Sequence, residues 1–263
     1  MAKKVEHNIQ NEYAKQFIAK MDAFGAAYAK CTLFQDFVRL ARIELQQPIN
    51  LMISGSKDEQ LEREYISIMK RYKQDERMIF LDLFVILVEG LEAYQTDMLG
   101  EVFETLDCGS QQSGQFFTPE PISKAMALMT LPQTPPEGDF ITVLDSACGT
   151  GSTLIAALEI LKKRGFKRYH VHFTACDIAA HLVDATYIQL TLLGMPALVY
   201  HTNALSGEVW NVYPSFEHVN GLWDRKLRRK FKKSEPTQKT SNKTQATQKA
   251  TNEIEREQLC FHI

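Results

Sequence analysis

Apolar side chains recur at helical spacing through the N-terminal part of the chain: Tyr13, Phe17, Met21 and Phe24, then Phe34, Phe37, Val38 and Ala41, then Leu61, Tyr65, Ile68, Met69 and Tyr72. The pattern predicts an all-helical region of about four or five helices between residues 8 and 106. Met78 to Tyr94 is its most apolar stretch and reads as a core helix, because no glycine, proline or alternation interrupts it before Gly90. Gln46-Gln47-Pro48-Ile49-Asn50 and Ile53-Ser54-Gly55-Ser56 are expected to break the region between its early and late helices. Cys108 to Gln115 is a polar, glycine-bearing loop and the expected domain boundary. Thr118 followed by Pro119 reads as a helix N-cap with proline at the first position, opening a helix over Ile122 to Leu131.

After a linker from Pro132 to Asp139 the period changes. Strands are predicted at Ile141 to Leu144, His170 to Ala175 and Ala197 to His201, separated by helices at Ser152 to Arg164 and Ala179 to Leu193 that Gly165 and Gly194 close. This is βαβαβ, the half-unit of a doubly wound parallel sheet. Val209 to Val212 reads as a short fourth strand, which in a 3-2-1-4 order leaves the first strand near an open edge. The expectation is therefore an α/β protein: a helical region over 1–107, a partial Rossmann-like domain over 108–223, and a basic, disordered tail over 224–263.

Composition is that of an ordinary globular protein, 44% hydrophobic and 24% charged. No apolar run approaches the roughly 20 residues of a membrane span, and the N-terminus lacks the apolar segment of a signal peptide, so a cytoplasmic protein is expected. Cys31, Cys108, Cys148, Cys176 and Cys260 are scattered, without a CxxC pair or nearby histidine spacing, and predict neither a disulfide scaffold nor a metal site. The net charge of -2 hides an asymmetry: residues 224–263 hold 11 Lys/Arg against 5 Asp/Glu, and residues 1–223 hold 19 against 27. Such a body is not a general nucleic-acid binder, and the run Arg225 to Lys233 reads as a solvated helix end rather than a DNA clamp.

Val143-Leu144-Asp145-Ser146-Ala147-Cys148-Gly149-Thr150-Gly151 is a strand, an acid and a glycine turn leading into a helix, a way of holding an adenosine cofactor at a strand's carboxyl end. A dinucleotide site would want a third glycine where this chain has Leu154, and the Gly-Lys-Ser/Thr of a P-loop is absent. An acid before glycines with no pyrophosphate cradle suits S-adenosylmethionine (SAM), which carries an ammonium group and no phosphates. Asp177, ending the second strand, occupies the position of a ribose-binding carboxylate, with a cap for the next helix as the alternative. Asn203 is placed to bond an adenine edge and Leu205 to pack on its face, with a plain turn as the alternative for Asn203. Cys148 and Cys176, without a basic neighbour in sequence, read as packing residues rather than nucleophiles.

Gly114-Gln115-Phe116-Phe117-Thr118-Pro119, then Asp145 to Gly151, then Asp177, then Asn203-Ala204-Leu205 resemble the ordered SAM-binding motifs of adenine-N6 DNA methyltransferases, most closely the modification subunit of type I restriction systems. The resemblance implies that Phe117 and Thr118 line the methionine end of the cofactor, that Asp145, Gly149 and Gly151 hold its amino acid part, and that Asp177 holds its ribose. It also implies DNA as substrate, reached through a separate specificity subunit. The family's Asn/Asp-Pro-Pro-Tyr/Phe tetrapeptide, which binds a flipped adenine, does not occur. Asn211, Tyr213 and Pro214 offer its residue types in another arrangement and are the candidate catalytic residues. The alternative is a SAM-binding subunit without catalysis that partners a complete methyltransferase chain or a specificity subunit.

Overall fold

The structure, a computed structural model, describes residues 11–108 and 118–234. Asn11 begins α1 (Glu12–Met21): its side-chain oxygen accepts the backbone N–H of Tyr13 at 2.9 Å, satisfying a donor the first turn leaves open. α2 (Lys30–Ser54), α3 (Glu59–Met69), α4 (Gln74–Tyr94) and α5 (Met98–Thr105) complete the N-terminal region. The expected break at residues 46–50 is absent, and α2 runs straight through Pro48. Proline removes one backbone donor, but Ile49 beside it is 2% exposed and packs into the core of the sheet, while Gln47 bonds both backbone groups of Asp58, at 2.8 and 3.0 Å. The helix ends instead at Gly55, whose φ of 76° is a left-handed cap. Cys31 and Cys108 form a disulfide, against the expectation of none: folding brings the first turn of α2 beside the end of α5, so cysteines 77 residues apart lie with Cα atoms 5.3 Å apart.

α6 (Glu120–Thr130) starts two residues after Thr118, with Pro119 rather than Thr118 as the cap residue. β1 (Ile141–Asp145), α7 (Ser152–Lys163), β2 (Val171–Asp177), α8 (Ala180–Leu192) and β3 (Ala197–Asn203) follow as βαβαβ, with β1–β2 and β2–β3 both parallel. β4 (Glu208–Pro214) is longer than expected and pairs antiparallel with β3, giving the order β1-β2-β3-β4. The 3-2-1-4 arrangement is thus overturned. Only Ala204-Leu205-Ser206-Gly207 joins β3 to β4, enough for a hairpin, whereas a parallel crossover needs a dozen residues or more. β1 consequently borders β2 alone, and Leu144 on it is 43% exposed.

The helical region and the sheet share their interior. Leu182, Ala185 and Ile188 of α8 are buried in one cluster with Phe17, Phe34, Leu87 and Phe103, while Val183, Tyr187 and Leu190 of the same helix face β-strand residues Phe173, Ala175 and Val199. A helix apolar on all sides is a buried helix, and α8 is the wall between the two halves. Among the described residues no helix is long and apolar enough to cross a membrane.

α9 (Phe216–Asn220) and α10 (Trp223–Ser234) close the described chain. At the start of the 224–263 segment the run Arg225 to Lys233, read in the sequence as a solvated helix end, is helical, and it is anchored where Trp223 and Leu227 bury against Phe140, the residue before β1. The remainder of that segment lies outside the described residues. Beneath α10, His172 and His218 are both buried, with His172 Nε2 2.9 Å from His218 Nδ1 and His218 Nε2 3.3 Å from Asp224.

Burial, reinforced by His218 and opposed by Asp224, lowers the pKa of His172 from 6.5 to about 3. The unfolded chain therefore takes up a proton below pH 6.5 that the folded chain refuses, and stability falls as pH drops from there toward 3. Between about pH 6.5 and pH 5 this residue alone should cost about 2 kcal/mol. Urea denaturation of the native chain and of His172→Gln, which keeps a partner for His218 but does not titrate, should differ in acid sensitivity by that amount.

Candidate functional site

The carboxyl ends of β1 and β2 meet at the glycine turn. Gly149 and Gly151 adopt φ of 57° and 99°, left-handed backbone that favours glycine, and a Cβ built on Gly151 would lie a tight 3.3 Å from the Thr186 side chain on α8. The turn is stitched to its surroundings at each step. Cys148 N–H donates to the Cys176 carbonyl at 2.8 Å, Gly149 N–H to Asp177 Oδ2 at 2.8 Å, and Thr186 Oγ1 to the Gly149 carbonyl at 2.7 Å. Asp145 accepts from Ala147 N–H at 3.0 Å and from the Thr153 hydroxyl.

Asp145, Gly149, Gly151 and Asp177 thus come together as the sequence suggested. Asp177 is also a structural cap, since its Oδ1 accepts the Ala179 N–H at 2.9 Å at the start of α8. Each carboxylate oxygen retains a further lone pair, and neither Asp145 nor Asp177 forms an ion pair among the described residues. Two adjacent acids without a cation make this edge attractive to a positively charged or hydroxyl-bearing ligand. Thr118 reaches the same place: its carbonyl accepts from Ser123 and Ser152 hydroxyls, both at 3.3 Å, beside the end of the turn. Phe117 lies outside the described residues. Burial, with Asp177 and Asp145 nearby, holds the Cys148 thiol well above its usual pKa, which makes it a poor nucleophile.

Other candidates go elsewhere. Asn203 spends its Oδ1 on the backbone N–H groups of Leu205 and Ser206, at 3.0 and 3.2 Å, the turn role that competed with adenine binding, while Leu205 is fully exposed at the hairpin tip. Asn211 sits on β4 opposite His201 and is exposed. Tyr213 is buried under the Arg42 guanidinium, 4.8 Å from its ring centre, and Pro214 pairs with Leu198 near the amino end of β3. Asn211 and Tyr213 nevertheless share registers with the two acids, Asn211 through His201 with Asp177 and Tyr213 through Val199 and Ala175 with Asp145, but they stand two and three strands away across the sheet.

A group that sequence reasoning missed underpins the turn. Asp97, the cap of α5, accepts from Gly100 N–H at 2.9 Å, from Thr150 Oγ1 at 2.6 Å and from Gln189 Nε2 at 2.8 Å, and Gln189 also donates to the Thr150 carbonyl at 2.9 Å. Burial raises the Asp97 pKa, these hydrogen bonds opposing it. A helix cap was legible there from an Asp ahead of an apolar run, but not partners 53 and 92 residues away. Beside this network a cavity of about 300 Å³ opens between α5, α6 and α7, lined by Asp97, Glu101, Thr118, Glu120, Lys124 and Ser152 among others. It adjoins the turn through Thr118 and Ser152 but does not contain Asp145 or Asp177.

An α/β half-unit that gathers two acids and a glycine turn at its carboxyl edge has them where open α/β sheets bind their ligands, outside the carboxyl ends of the strands. The family model described as N-6 DNA Methylase matches residues 94–255, more than half of the chain, and the protein belongs to that family. Among solved structures the chain is similar to the type I restriction-modification system methyltransferase subunit from Streptococcus thermophilus, at 15% identity and a TM-score of 0.34. That match covers 71% of this chain and 56% of the other, so the chain spans little more than half the length of that subunit.

Asp97→Ala should leave the Thr150 hydroxyl, the Gly100 N–H and the Gln189 amide without their acceptor, lowering unfolding free energy by about 3 kcal/mol in urea denaturation. Asp97→Asn, which keeps one acceptor oxygen, should lose roughly 1 kcal/mol.

Proposed function

We propose that the chain binds SAM at the carboxyl edge of β1 and β2 and serves adenine-N6 methylation of DNA in a cytoplasmic restriction-modification type system. The observation that carries this reading is the convergence of Asp145 and Asp177 on the Gly149–Gly151 turn, with no cation paired to either acid among the described residues. The residues present fit such a cofactor: positive-φ glycines admit a ligand close to the backbone, and both carboxylates keep acceptor capacity. Asp145 would take the amino acid ammonium and Asp177 the ribose hydroxyls, while Thr118, with Phe117 ahead of it in sequence, would border the methionine end. Bound there, SAM would supply an activated methyl group on its sulfonium. The protein's part is to orient that ligand and exclude water.

A second reading is favoured by the hairpin. Tyr213, buried under Arg42, is not available to stack an adenine beside Asn211, so the amide and ring proposed for that role do not act together. In this reading the chain is a SAM-binding subunit, and a complete methyltransferase or a specificity subunit brings the base-binding loop and the DNA recognition.

Calorimetric titration should show SAM binding to the native chain and a loss of about tenfold or more in Asp177→Ala, the worth of a charge-assisted hydrogen bond. Tritium transfer from SAM to unmethylated DNA then separates the readings. Transfer by the chain alone supports the enzyme, and SAM binding without transfer, indifferent to Asn211→Ala, supports the subunit. Absence of SAM binding would sink both.

A further inference from the structure

The excess positive charge of the C-terminal segment is concentrated in one rigid element. Residues 224–234 hold 7 Lys/Arg and 1 Asp/Glu, whereas residues 235–263 hold 4 of each, so α10 alone carries the excess. Contacts on its inner face fix the helix to the body: Trp223, 1% exposed, stacks edge-on against Phe140; Leu227 buries beside it; Asp224 meets His218; and the Lys230 ammonium bonds the Phe140 carbonyl and Asp139. That inward face leaves Arg225, Arg228, Arg229 and Lys232 exposed outward. Their spacing of i, i+3, i+4 and i+7 aligns them in a single stripe roughly 10 Å long. Arg228 feels Asp224, which is engaged with His218. Arg225, Arg229 and Lys232 have no acidic partner among the described residues.

We propose that the outer face of α10 is a docking surface for the phosphate backbone of duplex DNA, separate from the cofactor edge. Charge complementarity selects the ligand. A duplex carries one charge per ~1.7 Å of axis with both strands counted, so phosphates are dense enough for each of the four cations of a 10 Å stripe to meet one and release its counterion. A membrane surface fits less well, because an interfacial helix must insert an apolar face, and the apolar face of α10 is already buried against Phe140. The stripe holds only cations and no Asn or Gln, which suits sequence-independent binding. Its position follows from Phe140, which precedes β1. The five residues of β1 then separate α10 from the cofactor edge by about 17 Å. DNA held there is tethered to the protein without occupying the SAM site, and the proposal does not depend on SAM being bound.

Fluorescence anisotropy of the full chain with a labelled random-sequence duplex, over a series of salt concentrations, tests the assignment. The native chain should bind at low salt, and Arg225→Gln/Arg229→Gln/Lys232→Gln should weaken binding at least tenfold and lower the slope of log K against log salt by about 3. Glutamine is a good helix former, and an unchanged circular dichroism spectrum and SAM affinity would show the body intact. Arg225→Lys/Arg229→Lys, which keeps both charges, should retain most of the affinity and serves should the first variant fold poorly. Equal affinity and slope in native and Gln variants would overturn the proposal, as would native binding to phosphatidylserine vesicles in the absence of duplex binding.

Discussion

The two halves of the molecule are held by a buried ion pair across α2 and α8. Arg42 and Asp184 are 1% and 2% exposed, with Arg42 Nε 2.8 Å from Asp184 Oδ1, a separation of an ion pair although the N–H is not aligned for a hydrogen bond. Arg39 reaches the same carboxylate at 3.1 Å, and the face of Tyr213 covers Arg42. Burial still pushes the pKa of Asp184 up to about 6 against the pull of both arginines. Such pairs add little over an apolar contact of equal volume, yet removing one partner costs about 3–5 kcal/mol, because a charge is then left without water or counter-ion. Geometry rather than net stability is what they enforce. Here the pair sets α2 against α8, and with it the wall on which both cores are built.

Everything at the cofactor edge inherits that placement. α8 presents Thr186 to the Gly149 carbonyl and Gln189 to both Asp97 and the Thr150 carbonyl, so the helix that seals the N-terminal core also fixes the turn. Tyr213, engaged by Arg42 from β4, connects the hairpin to the same centre. Tyr213 is therefore committed to packing.

The sequence was most legible where local rules act alone. Helix periodicity, the closing glycines at Gly165 and Gly194, and the strand, acid and glycine order from Val143 to Gly151 depend on neighbours within a few residues, and the helices, the three parallel strands and the turn lie close to where they were expected. Pro48 misled because its cost to α2 is offset by Ile49 and Gln47, whose partners lie in other elements. The disulfide from Cys31 to Cys108 and the acceptor role of Asp97 were hidden for the same reason, since both join residues far apart in sequence. The hairpin was the most recoverable miss. A four-residue connection ending in Gly207 argues against a parallel crossover on length alone. The helix over Arg225 to Lys233 was legible, but not its buried face, because Trp223 and Leu227 find their partner Phe140 more than 80 residues earlier.

The stitching of the glycine turn has an entropic consequence. A loop that becomes ordered only around its ligand subtracts that ordering from the affinity, at about 1–2 kcal/mol for each backbone residue fixed. Here Cys148, Gly149 and Thr150 are already held by β2, α8 and α5, so a ligand meets a surface whose conformational freedom was spent during folding. A ligand at this edge would therefore meet a preorganised surface, held in place by helices behind the turn.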